Sequence, residues 1–141
     1  MFDADIELRA LQSEVSCLIP AIRVRYEPDY VLVTLTGEID FAVVAGLRER
    51  LFALAGTGLP VVADLDGVSF IDAAGLGVLA GVARRAAVHG ASLLVVCARP
   101  QTRRLFRFTR LDRTVVLSGS MAEALQLLAA PPDAPAAAVA V

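Results

Sequence analysis

The chain has 141 residues, 57% of them hydrophobic, with 13 basic and 15 acidic side chains and a net charge of −2. That length fits one domain with one core, and the apolar content excludes an intrinsically disordered chain. The balanced charge supplies no global field toward nucleic acid or an anionic membrane, and no apolar run reaches membrane-spanning length.

Residues 1–20 read as an N-terminal extension. The opening Met1-Phe2-Asp3-Ala4-Asp5-Ile6-Glu7 is acidic where a signal peptide is basic, so a soluble cytoplasmic protein without membrane insertion is expected. Ile6, Leu8, Leu11 and Val15 would line one face of a short helix, which Pro20 closes. Ile22, Val24 and Tyr26 then alternate with Arg23, Arg25 and Glu27, the pattern of a half-buried strand. After a turn over 27–30, Val31, Val33 and Leu35 alternate with Leu32, Thr34 and Thr36, so the two strands form an antiparallel hairpin. Residues 37–41 read as a loop, with Asp40 the expected N-cap of a helix reaching about Ala55. Val44, Leu47, Leu51 and Leu54 share that helix's buried face, and Gly56 and Gly58 stop it.

Residues 59–65 are almost continuously apolar, the mark of a central strand covered on both faces. A loop over 66–74 follows, then a helix from about Ala74 to His89, ended by Gly90. Residues 92–97 read as a second buried strand, and 101–109 as an arginine-rich helix that Leu105, Phe106 and Phe108 anchor to the core. Residues 115–117 form a short edge strand. Ser120 with Glu123 makes a capping box for a last helix to about Ala129. Residues 131–141 are a Pro/Ala-rich tail, expected to be flexible. The order β-β-α-β-α-β-α-β-α predicts a single α/β domain over 21–130, with about four helices on a mostly parallel sheet of about five strands.

In such sheets, sites form at the carboxyl ends of the strands. This places Glu38, Asp40, Asp66, Ser69 and Asp72 together around the start of the second long helix, whose free N–H groups favour negative charge. Gly75 and Gly77 would let another backbone approach, while Leu76 and Leu79 face the core. Asp72 reads as the N-cap of that helix, and Ser69 as a loop serine bonded to its own backbone.

Two motifs in this order resemble the STAS domain family, in its anti-sigma factor antagonist form. One is Thr36-Gly37-Glu38-Ile39-Asp40. The other runs from Asp64 to Gly77 and contains Phe70-Ile71-Asp72-Ala73-Ala74-Gly75-Leu76-Gly77. The resemblance implies partner switching. The unphosphorylated antagonist binds an anti-sigma factor that is also a serine kinase of the GHKL type, which frees a sigma factor. Phosphorylation after the motif's Asp breaks the complex. Here that position is Ala73, which has no hydroxyl, so the usual acceptor is missing. The implied partner surface is Glu38, Asp40, Ser69, Asp72, Ala73, Ala74, Gly75, Leu76 and Gly77.

The same resemblance admits a scaffold subunit of an ABC-type lipid transport system, or a module sensing a nucleotide or other small ligand. No phosphate loop, nucleophile elbow or metal cluster is present, so no enzymatic activity, cofactor or metal is expected. Cys17 and Cys97 have no metal-ligand or disulfide-framework spacing and read as ordinary thiols. Arg99, Arg103, Arg104, Arg107, Arg110 and Arg113 lack a helix-turn-helix or aromatic stacking context and read as a solvated face, with no direct nucleic-acid binding. The sequence leaves the oligomeric state open.

Overall fold

The structure is a computed structural model and describes residues 21–129. The expected extension over 1–20, with Cys17, and the tail over 131–141 lie outside the described residues. Strands and helices alternate as β1 (Ala21–Tyr26), β2 (Val31–Ile39), α1 (Val44–Ala55), β3 (Val61–Ile71), α2 (Ala73–Val88), β4 (Leu93–Val96), α3 (Pro100–Phe108), β5 (Val116–Ser118) and α4 (Met121–Ala129). A 3-10 turn at Leu111–Arg113 precedes β5. The sheet order is β1-β2-β3-β4-β5, with β1 antiparallel to β2 and every other pair parallel. The element order and the mixed α/β class are those expected from the sequence.

Period-two alternation sorts the side chains of the central strands into two layers. Val61, Ala63 and Leu65 of β3 and Leu93 and Val95 of β4 join the main core, together with Leu47, Leu51 and Leu54 of α1, Leu76, Leu79 and Val82 of α2, and Phe106 of α3. Val62, Leu94 and Val96 face the other way, onto Ala124 of α4. The helices α1 and α2 pack on each other. There Phe52 lies under the Arg48 guanidinium, 5.0 Å from its ring centroid, and its carbonyl accepts from Arg85 Nε at 3.0 Å.

The largest departure from the sequence reading is β3. It was expected to end near Leu65 and give way to a loop, but it continues to Ile71 as an eleven-residue strand. Its pairing with β4 stops at Asp64, and beyond that it pairs with β2 alone. The register slips twice, between Thr34 and Thr36 and between Gly37 and Glu38, each time with an extra residue on β3. Gly37 sits at φ +90, where a glycine carries no Cβ strain. Gly67 is needed for space: a Cβ there would lie 2.5 Å from Thr36 Cγ2.

Smaller departures have local causes. Asp40 does not cap α1. Its Oδ1 accepts from Ala42 N–H at 3.0 Å, closing a short turn, and the helix starts only at Val44, without a side-chain cap. Tyr26 is exposed at the end of edge strand β1. In α3 only Phe106 is fully buried, while Phe108 is 85% and Leu105 37% exposed. The capping box of α4 forms, with Ser120 Oγ accepting from Glu123 N–H at 3.1 Å, but the Glu123 carboxylate reaches Gly119 N–H rather than that of Ser120.

The contrast within α3 gives a direct test. Phe106→Ala is expected to destabilise the domain by about 3–5 kcal/mol. Phe108→Ala is expected to stay within about 0.5 kcal/mol of the parent. Urea denaturation followed by circular dichroism separates the two.

Candidate functional site

The overhang of β2 and β3 beyond β4 carries the site, and Asp72 organises it. Its backbone N–H donates to Ile39 O at 3.2 Å, ending the β2–β3 ladder. Its Oδ1 accepts from Gly75 N–H at 3.0 Å, which makes it the N-cap of α2, as the sequence suggests. Its Oδ2 accepts from Phe41 N–H at 3.0 Å, across thirty-one residues of sequence. Through its backbone N–H and its carboxylate, this one residue therefore joins the end of β2, the turn before α1 and the first turn of α2.

Around this anchor the expected residues divide. Asp40 belongs to the turn held by Asp72, and Glu38 lies opposite Phe70 in the ladder. Ala73 follows the cap as the first residue of α2 and is exposed, Ala74 is half-buried and Gly77 is exposed. Gly75 and Leu76 are buried. A Cβ on Gly75 would come within 2.7 Å of Ile71 Cγ1 and 3.0 Å of Ile39 O, so this glycine serves internal packing rather than an approaching chain. A Cβ on Gly77 would meet nothing within 4 Å. An exposed glycine inside a helix costs about 1 kcal/mol relative to alanine, and nothing inside the domain requires it here.

Two expected members sit elsewhere than foreseen. Asp66 is turned toward the next loop, where its Oδ1 accepts from Ala98 N–H at 2.8 Å. It lies six positions along the chain from Asp72, up to about 20 Å in an extended strand. Ser69 lies in the strand, at the second register slip, and is exposed. Its hydroxyl makes no hydrogen bond to a described residue, so it does not close the loop turn expected of it.

Phe41 and Phe70 were not among the candidate residues, yet they dominate this end of the molecule. Phe41 is 82% exposed and Phe70 51% exposed. Both are tied to Asp72, the residue before Ala73: Phe41 by its N–H bond to the carboxylate, and Phe70 by lying two residues earlier in the chain, in β3. The available signal was a large aromatic next to the first motif and another inside the second, and aromatics are enriched where proteins bind each other. The resulting surface has two exposed rings, the carboxylates of Glu38 and Asp40, and an exposed helix start. Among the described residues no group of three or more His, Cys, Asp or Glu could hold a metal. No helix among them is long and apolar enough to cross a membrane.

Comparison with known proteins identifies the family and the fold. The STAS domain model matches residues 21–124. The anti-sigma-B factor antagonist of Bacillus subtilis is 32% identical over 97 residues, 69% of this chain and 89% of that protein. The anti-sigma F factor antagonist of Lysinibacillus sphaericus is 29% identical over 83 residues, 57% of this chain and 71% of that protein. An anti-sigma factor antagonist from Mycobacterium paratuberculosis superposes with a TM-score of 0.71 at 27% identity, covering 78% of this chain and 94% of that one.

Asp72→Ala removes the α2 cap and orphans the Phe41 N–H. It is expected to lower stability by about 1–3 kcal/mol. Asp40→Ala loses a single turn bond and is expected to cost about 1 kcal/mol or less. Parallel urea melts of the two variants check the ranking.

Proposed function

This chain belongs to the STAS domain family, and from that premise we propose that it acts as an anti-sigma factor antagonist whose partner surface lacks the usual phospho-acceptor. The partner it takes is an anti-sigma factor of the GHKL serine-kinase type, held at the start of α2, and the outcome is release of a sigma factor. The observation that carries this reading is Ala73. It is exposed at the first position of α2 and has no oxygen to receive a phosphoryl group, and Phe41 and Phe70, near it through Asp72, are exposed as well. The relatives named as antagonists support the role. Gly77 supports the surface, because its missing side chain serves no contact within the domain.

In this reading Phe41 and Phe70 supply buried area in the complex, and Glu38 and Asp40 select a basic rim on the partner. At position 73 the loop stays in its binding form, because the charge that would break the complex cannot be attached to Ala73. Asp72 positions the surface and is itself occupied with two backbone N–H groups.

The test is affinity capture from the parent cell's lysate, followed by measurement of the bound ATPase against variants. Ala73→Glu is expected to leave the fold intact, since a carboxylate at the helix start gains about 0.3–1 kcal/mol from the dipole. It is expected to weaken partner binding at least tenfold. Gly77→Ala is expected to raise stability by about 0.5–1 kcal/mol while also weakening binding. Ala73→Ser supplies the hydroxyl. With the captured kinase and ATP, the Ser variant is expected to take up phosphate where the parent takes none. Recovery of a transporter ATPase in place of a GHKL protein, or unchanged binding by the Glu variant, would reverse the assignment.

A further inference from the structure

The net charge of −2 conceals a strong local imbalance. Residues 99–113 contain six arginines and one aspartate, a net +5, which leaves −7 for the remainder of the chain. Among the described residues the ion pair formed is Arg25–Glu27, on the far side of the sheet, so none of these arginines is neutralised by a described carboxylate. Arg103 is set apart, since its guanidinium donates to Cys97 O at 2.9 Å and is part of the fold. Arg99, Arg104, Arg107, Arg110 and Arg113 are exposed.

The sequence pattern assigned Leu105 and Phe108 to the core, and the structure does not place them there. Phe106 and Thr102 point inward, which turns Arg104 and Phe108 outward on the helix wheel, with Leu105 on one flank and Arg107 on the other. The outer surface of α3 is therefore half apolar and half basic, and Phe108 protrudes from it at 85% exposure. The corner that follows is unusual. Arg110 has φ +62, the left-handed conformation that a glycine adopts without strain, yet an arginine occupies it.

We propose that the outer face of α3, with Leu105 and Phe108 beside Arg104 and Arg107 and followed by Arg110, docks this protein on the surface of an anionic lipid bilayer. The chemistry matches on both counts. Arginines bind the headgroup phosphates, and a Leu/Phe pair on the same helix enters the boundary with the acyl chains. The shape favours a bilayer over an acidic protein segment, because a protruding ring flanked by long cations suits a soft, flat, negatively charged surface. No spanning segment is involved. Topology leaves this contact compatible with the proposed partner surface. Strands β4 and β5 are parallel, so α3 runs back between them and places Phe108 at the edge of the sheet opposite Ala73.

The experiment uses the full chain in co-sedimentation with vesicles of phosphatidylcholine alone and of phosphatidylcholine with phosphatidylglycerol. Binding to the anionic vesicles, lost in high salt and absent on the zwitterionic ones, is the expected result. Each arginine removed near such a surface weakens binding by about fivefold. R104Q/R107Q is therefore expected to lose roughly 25-fold. F108A, in an exposed position, is expected to weaken vesicle binding while leaving binding to soluble polyglutamate unchanged. R110G gives a control independent of folding, because it relieves the left-handed strain. It is expected to unfold at higher urea than the parent and yet bind vesicles about fivefold more weakly. No binding to anionic vesicles, equal binding to both vesicle types, binding to polyglutamate alone, or vesicle binding indifferent to these variants would overturn the proposal.

Discussion

The Asp72 carboxylate holds together the end of this domain that carries the candidate surface. Its two oxygens accept from Gly75 in α2 and from Phe41 in the turn before α1, while its own N–H closes the ladder on Ile39. These bonds satisfy donors that helix and turn would otherwise leave to water, and they fix where the chain leaves the sheet. Behind Asp72, the buried Gly75 allows α2 to approach Ile39 and Ile71 closely. The position of Ala73 at an exposed helix start follows from this arrangement. So does the display of Phe41 on a turn that is held rigidly although its side chain is in solvent.

The sheet explains why this end is free to display anything. β3 is flanked by β2 and β4 only as far as Asp64, and its last seven residues pair with β2 alone. Two extra residues in that stretch bend and twist it, as bulges do near binding sites. The rigid part of the domain, with side chains packed on both faces of β3 and β4, thus carries a two-stranded projection whose outer positions are available to a partner. The opposite edge has its own character. There α3 ends in a corner of exposed arginines around Phe108, far from the carboxylates of Glu38 and Asp40. Acidic and basic surfaces at opposite ends allow two contacts of different chemistry at the same time.

The sequence by itself determined the alternation of strands and helices, the antiparallel start of the sheet, the buried face of α1, the capping role of Asp72 and the absence of a hydroxyl at position 73. Each is a local property. Period-two and period-3.6 patterns, short turns and capping residues act within a few residues of themselves, and a missing oxygen needs no fold to be missing.

Only the tertiary structure decided the course of the chain from Leu65 to Ile71. Strict alternation from Val68 would bury Phe70, but the extra residue at Ser69 reverses the parity, so Ile71 enters the core and Phe70 faces solvent. A bulge is a mismatch between two strands and leaves no trace in the periodicity of one. Asp66 went to Ala98 rather than to Asp72 because an extended strand separates residues that a loop would have gathered. Phe108 was drawn toward the core by its hydrophobicity alone. Its exposure follows from the inward placement of Phe106 and Thr102, since a nine-residue helix on the flank of a sheet has room to bury only one narrow stripe.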